Sequence, residues 1–242
     1  MSLVDWDQAS ILSDRYLDVL VSDPRALGVL LIQAPLIGGL VAGVWSNARE
    51  DSPTLYFVLV LSAFFLGAVN SAREVVKERA LFLRERMFNL SAGAYVVSKF
   101  RVQAISMVLQ CAILTALVDR FVPLEVNVLV VGLTTLLCAL CGTGVGLAIS
   151  AVVRTADKAV MLVPLVVIPQ ILFSELILPG GQLHNWTESL QKLMPVHWGY
   201  ELLDAARLGE GLWTGALSVL ILSSMIITCF GFTTAVLTRA RY

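Results

Sequence analysis

Charged residues are so unevenly placed along this chain that long stretches contain none. Asp, Glu, Lys and Arg are absent from 23 residues between Ala26 and Ala48, 21 between Ser52 and Ala72, and 17 between Val102 and Val118. They are also absent from 28 residues between Val126 and Val153 and 28 between Gly211 and Thr238. A further 29, from Ala159 to Thr187, are interrupted only by Glu175. A helix of about 20 apolar residues crosses the hydrocarbon core of a bilayer, so the pattern predicts an all-α membrane protein with six transmembrane helices. Six spans consume about 120–150 residues, which leaves no room for a soluble domain in a chain of 242. Only 14% of the residues are charged, against about 25% in ordinary soluble domains, and a water-soluble enzyme is excluded.

The 17 Lys and Arg residues orient the spans. Arg15, Arg25, Arg73, Lys77, Arg79, Arg84, Arg86, Lys99, Arg101, Arg154, Lys158, Arg239 and Arg241 fall on one side; Arg49, Arg120, Lys192 and Arg207 fall on the other. The positive-inside rule places the richer side, and with it both termini, in the cytoplasm, so the chain reads as a multi-pass protein of the cytoplasmic membrane. The acidic start (Asp5, Asp7, Asp14, Asp18) predicts no cleavable signal peptide. All four cysteines lie inside spans, and Cys138-x-x-Cys141, without a second ligand cluster, reads as helix packing and not as a redox or metal pair.

The chain divides as one transmembrane domain over residues 1–242. Residues 1–26 are an N-terminal amphipathic helix lying in the cytoplasmic interface, with Leu12, Tyr16, Val19 and Leu20 on its apolar face. Spans one to five occupy 27–178, external re-entrant or surface helices split at Pro195 occupy 179–213, and span six occupies 214–238. Gly-x-x-x-Gly patterns in span one (Gly39, Gly43) and span four (Gly142, Gly146) predict close helix contacts. Lys99 and Arg101, about two turns inside span three, are expected to snorkel toward phosphates. Pro164 and Pro169 should kink span five. His184 and His197 lack any metal-ligand spacing and read as interface residues.

The cytoplasmic stretch REVVKERALFLRERMFNL, residues 73–90, is the most informative. It predicts a helix with Val76, Ala80, Leu83 and Met87 on one face and arginines and lysine around the rest. Topology needs only the charges; the apolar stripe calls for a protein or membrane surface to cover it. No P-loop is present, because none of the four lysines (Lys77, Lys99, Lys158, Lys192) follows a glycine. The chain by itself is therefore not an ATPase and carries no cofactor or metal, and nothing in it suggests nucleic-acid binding. Glu175 is the one intramembrane acid of the kind used in proton coupling; with Pro179 and two glycines nearby, it also reads as a hydrogen-bonding group at an external gate.

Residues 65–100, FLGAVNSAREVVKERALFLRERMFNLSAGAYVVSKF, resemble the membrane-spanning domain of the White-type (ABCG) subfamily of ABC transporters, within the type-2 ABC exporters. The matching features are an N/S-A-x-E-x-V-x-E-R run, an R-E pair and L-S-x-x-A-Y-x-x-S-K. SDPRALGVLLIQAPLIGGLV at span one and LMPVHWGYELL before span six add weaker matches. The resemblance implies a half-transporter that pairs with a second copy, as a homodimer, and works with a cytosolic ATPase that binds ATP and Mg. It implies that residues 73–90 form the coupling helix, with Glu74, Glu78, Arg84 and Glu85 in a polar network, Leu83 on the apolar face, and Arg154 and Lys158 as a second ATPase contact. It places substrate between spans two and five, at Phe64, Gly67, Ala68, Val167, Ile168 and Ile171, beneath a gate at Leu176 and Ile177. Glu175 stands where the family often has glycine.

The expected function is an ATP-driven export permease for a hydrophobic or amphipathic substrate such as a lipid, glycolipid or drug-like molecule. A permease for a lipid-linked glycan or polysaccharide is the neighbouring alternative. From other classes come a proton-coupled secondary transporter using Glu175, against which the lack of paired broken helices and internal repeats argues, and a non-transporting membrane scaffold.

Overall fold

A computed structural model of the chain describes residues 5–46, 52–174, 185–209 and 212–239. Every regular element among them is helical. The first helix, α1 (Trp6–Ser22), starts at Asp5, whose carboxylate accepts hydrogen bonds from the backbone N–H groups of Asp7 and Gln8 at 3.2 and 3.1 Å. That cap satisfies orphan donors and meets the positive end of the helix dipole. Both α2 (Pro24–Trp45) and α3 (Pro53–Ser71) open with a proline, where no N–H is required. A 3-10 turn (Val76–Glu78) and the short α4 (Arg79–Arg86) follow. Asn89, at φ 73°, then reverses the chain in a left-handed conformation that asparagine tolerates. The remainder is α5 (Ala92–Phe121), α6 (Val128–Val152), α7 (Ala156–Leu172), α8 (Asn185–Gln191), α9 (Pro195–Leu208) and α10 (Leu212–Arg239).

Five helical stretches among the described residues, and not six, are long and apolar enough to cross a membrane: Leu27–Trp45, Pro53–Arg86, Ala92–Phe121, Val128–Val152 and Trp213–Arg239. The expected fifth span corresponds to α7, which has 17 residues. It rises about 26 Å and carries two prolines that each remove a backbone donor. The rest of that expected span, up to residue 178, lies outside the described residues.

The bundle is organised around α3 and α6, which meet backbone to backbone. Gly67 of α3 faces Ala139 and Thr143, while Gly142 and Gly146 of α6 face Phe64, Ala68 and Ser71. A Cβ at any of the three would collide with the opposite helix. Between apolar helices in lipid, such close approach is a main source of association, because burial from water is not available. The Ser71 hydroxyl lies 2.6 Å from the Gly67 carbonyl and 3.0 Å from that of Thr143, so it is satisfied without solvent. In span one the glycine pattern does something else: added Cβ atoms at Gly39 and Gly43 meet nothing within 4 Å. That pair faces open space among the described residues.

Around this pair the other helices fill in. Gln110 of α5 joins three helices, donating to the Leu30 carbonyl at 2.6 Å and accepting from Asn70 at 3.1 Å. Instead of lying on the surface, α9 buries Val196 and Leu203 and sets Gly199 against Cys138 and Val60. Cys138 is thus a packing group, and the Cys141 thiol reaches the Leu222 carbonyl at 3.4 Å. Docked on α5, α1 buries Ala9, Leu12, Ser13 and Tyr16. Val19, expected on the same face, is exposed, as are Trp6, Ile11 and Val21. The exposed residues Val29, Ile32, Leu36 and Leu40 form one apolar stripe along α2.

Overpacking a filled interior costs about 1–3 kcal/mol, and backbone yields less than side chains. Gly142→Val should lower the thermal midpoint of the purified protein by several degrees, whereas Gly39→Ala should leave it within about a degree. Equal melting of the two variants would show that the α3–α6 contact does not hold the bundle.

Candidate functional site

The segment between α3 and α5 is built around a lysine. Ser91 caps α5, and one and two turns later Tyr95 and Lys99 project from the same face. Lys99 is only 2% exposed, and its ammonium lies 2.6 Å from the carboxylate of Glu78 and 4.0 Å from that of Glu74. It also sits 3.6 Å above the ring of Tyr16, a cation–π contact that gains strength where water is excluded. Lys77 holds the second oxygen of Glu74 at 2.7 Å, and the Tyr16 hydroxyl donates to the first. One turn deeper, the Gln103 amide donates to the Asn70 carbonyl at 3.2 Å. The expected snorkelling of Lys99 is therefore corrected: two carboxylates and an aromatic ring fold down onto it, so it has no need to reach for phosphate. Arg101 is exposed.

The same segment is tied to four helices. Arg15 of α1 pairs with Glu85 at 2.6 Å, and Gln8 reaches the Asn89 carbonyl and the Ser91 N–H. The Ser150 hydroxyl of α6 accepts from the N–H groups of Val75 and Val76, both at 3.0 Å. Arg79 donates to the Val153 carbonyl at the end of α6 (2.8 Å), and Arg86 donates to the Leu237 and Thr238 carbonyls near the end of α10 (2.7 and 2.5 Å). Cations at helix C-termini meet both unsatisfied carbonyls and the negative end of the dipole.

Beneath the segment, Val75 and Phe82 pack with Leu12, Tyr95 and Leu147, the two rings 4.7 Å apart. Of the expected stripe, Val76 is buried and Leu83 is partly buried, whereas Ala80 and Met87 are exposed. The reason is local: a 3-10 turn advances about 120° per residue instead of 100°, and α4 covers only Arg79–Arg86. The buried face therefore rotates onto Phe82.

The expected coupling residues separate into two sets. Glu74, Glu78 and Glu85 lie in the polar cluster, and Leu83 packs against the core. Arg84, Arg154 and Lys158 are exposed, the latter two beside Val153 where Arg79 grips it. Of the expected substrate residues, Phe64, Ala68 and Val167 share one buried core cluster, with Ile171 packed against it. Phe64 and Ala68 are buried with Gly67 against α6, so close packing has consumed that face of α3. Val167 is buried in the core, Ile171 packs against it, and Ile168 is half-exposed on α7. The gate residues Glu175, Leu176 and Ile177 lie outside the described residues. Sequence reasoning missed Gln8 and Ser150, whose partners are distant in the chain; Arg15, Arg79 and Arg86 were visible only as topological charge, and Tyr16 only as part of an apolar face.

The Glu85 hydrogen bond raises the pKa of Arg15 above its ordinary value. Burial, reinforced by Glu74, pushes the Tyr16 phenol well up, so the fold holds it neutral. The contribution of Tyr16 is therefore intact below about pH 10 and declines above it, as the unfolded chain ionises first.

Removing one partner of a buried ion pair costs about 3–5 kcal/mol because the other charge is stranded. Lys99→Met should destabilise the protein by about that much and release α1 to protease, while Tyr16→Phe should cost about 1 kcal/mol. Pairing Lys99→Met with Glu78→Gln should recover part of the loss. Thermal unfolding and proteolysis of residues 5–22 check these outcomes, and an unchanged Lys99→Met variant would remove the cluster from its structural role.

A sequence profile described as ABC-2 type transporter matches residues 7–208. The chain is also similar to the ABC transporter ATP-binding/permease protein Rv1747 of Mycobacterium tuberculosis, with 26% identity over 216 residues. That match covers 80% of this chain and 24% of the relative, so the chain spans about a quarter of the relative's length. The apolar multi-helix bundle and a profile match over most of its length agree: the chain belongs to the ABC-2 type transporter family, as a multi-pass integral membrane domain of the permease kind.

Proposed function

We propose that this domain is the membrane half of an ATP-driven exporter and that residues 73–90 receive the movement of a cytosolic ATPase. The observation that carries the reading is the contrast between the two faces of that segment. One face is pinned to α1, α5, α6 and α10 by ion pairs and capping hydrogen bonds; the other, with Ala80, Arg84, Met87 and Phe88, is exposed. Rigid attachment on one side and an open face with apolar and basic groups on the other suit a part that passes on rigid-body motion. Arg154 and Lys158 extend the basic rim, which favours an acidic partner surface and, by the positive-inside rule, the cytosol.

The similarity to a protein named ATP-binding/permease supports an ATPase as that partner. ATP and Mg would then sit on the ATPase and not on this chain. A second copy completes the transporter, and the apolar surfaces of α7 and α10, with Leu165, Leu172, Leu220 and Ile227 exposed, offer area for it. The cargo is a hydrophobic or amphipathic molecule, such as a lipid, glycolipid or lipid-linked glycan. Of the six substrate residues first considered, Ile168 and Ile171 on α7 remain in reach of it, whereas Phe64, Gly67 and Ala68 serve the α3–α6 contact.

The test uses the exposed face, because Leu83→Asp would also damage the core that Leu83 touches. Arg84→Glu combined with Phe88→Asp should weaken association with the cognate ATPase about tenfold or more and abolish transport-coupled hydrolysis. The melting temperature should stay within about two degrees. Unimpaired association and coupling would overturn the reading.

A further inference from the structure

At the end of the bundle that carries the 3-10 turn, a cavity of about 450 Å³ opens between α1, α2, α5 and the end of α3. Its wall holds two arginines, Arg25 and Arg73, both exposed and neither in an ion pair among the described residues. Lys77 and Glu74 also line it, but they are matched to each other at 2.7 Å. The cavity therefore has a net positive charge carried by the two guanidiniums.

Deeper in the wall are amides with unused capacity. Gln103 is 3% exposed; its amide nitrogen is spent on the Asn70 carbonyl, and its side-chain oxygen accepts from none of the described residues. The side-chain oxygen of Gln33, also in the wall, has no donor among the described residues either. A buried acceptor without a partner costs roughly 1–3 kcal/mol, so a ligand donor that reaches either oxygen recovers that cost. The third element is apolar. Val29 is in the wall and continues along α2 as the exposed stripe Ile32, Leu36 and Leu40, which leads from the cavity along the span.

A cationic mouth, a hydrogen-bond acceptor without a donor and an apolar track fit one kind of molecule. We propose that the cavity binds the phosphate-bearing headgroup of a membrane lipid. The phosphodiester lies between Arg25 and Arg73, a headgroup hydroxyl donates to Gln103, and an acyl chain follows the α2 stripe. Guanidiniums suit phosphate oxygens through paired N–H donors. A free phosphate would satisfy the arginines but leave the stripe without a role. The proposal rests on the permease reading only in assigning the cavity to the cytoplasmic leaflet.

The test is native mass spectrometry of the full chain in detergent, without any ATPase, so its outcome is independent of whether the coupling reading survives. The probes are phosphatidylglycerol, phosphatidylethanol (the same phosphodiester charge without headgroup hydroxyls) and soluble glycerol 3-phosphate. Phosphatidylglycerol should be retained in preference to phosphatidylethanol. Arg25→Gln with Arg73→Gln should lower retention of both lipids about tenfold or more, while Arg120→Gln, an exposed arginine outside the cavity, should not. Gln103→Leu should erase the preference between the two lipids. Retention unchanged in the double arginine variant would overturn the site, and competition by millimolar glycerol 3-phosphate would show that it takes a free phosphate instead of a lipid.

Discussion

A lysine ammonium two turns inside a membrane helix must find anionic partners, reach water or lose its charge, and at Lys99 the first solution shapes the whole end of the bundle. Each of its neighbours comes from a different part of the chain: Glu74 and Glu78 follow α3, and Tyr16 belongs to α1. Desolvating a charge costs several kcal/mol even after relaxation, so these groups cannot separate one by one. The position of α1, the bend after α3 and the start of α5 are therefore set together. The cluster specifies an arrangement more than it adds net stability, since buried pairs often do little better than apolar replacements.

The second constraint is the glycine-lined crossing of α3 and α6. It joins two helices whose ends both touch residues 73–90: α3 runs directly into them, and α6 meets them through the Ser150 hydroxyl and the Val153 carbonyl. Movement imposed on residues 73–90 thus reaches two spans at once. By contrast, α2 and α10 present most of their side chains outward.

Five of the six expected spans could be read in advance because charge is costly in lipid, and a missing charge is visible without knowing any contact. The glutamates of residues 73–90 stood out through the match at residues 65–100. Their partners did not, since nothing local in the sequence of α1 says that Tyr16 will cover Lys99, 83 positions away in sequence. The stripe through Ala80 and Met87 failed because one 3-10 turn shifts every later residue around the axis. On α3 a different ambiguity arises: a small residue that allows close approach looks the same in sequence whether the approaching object is cargo or a helix. Gly67 and Ala68 meet α6.

The tethers from Gln8 to Asn89 and from Arg86 to Leu237 and Thr238 have a consequence for protein architecture. They bring the start of the first helix and the end of the last beside the same exposed segment. A domain fused at either end by a flexible linker of about 20 residues would range over about 25 Å. At that reach its local concentration is in the millimolar range, high enough for a weak docking surface to be occupied most of the time. The geometry therefore suits covalent attachment of a partner domain at either end equally well, and such attachment would relax how tightly residues 73–90 have to bind it.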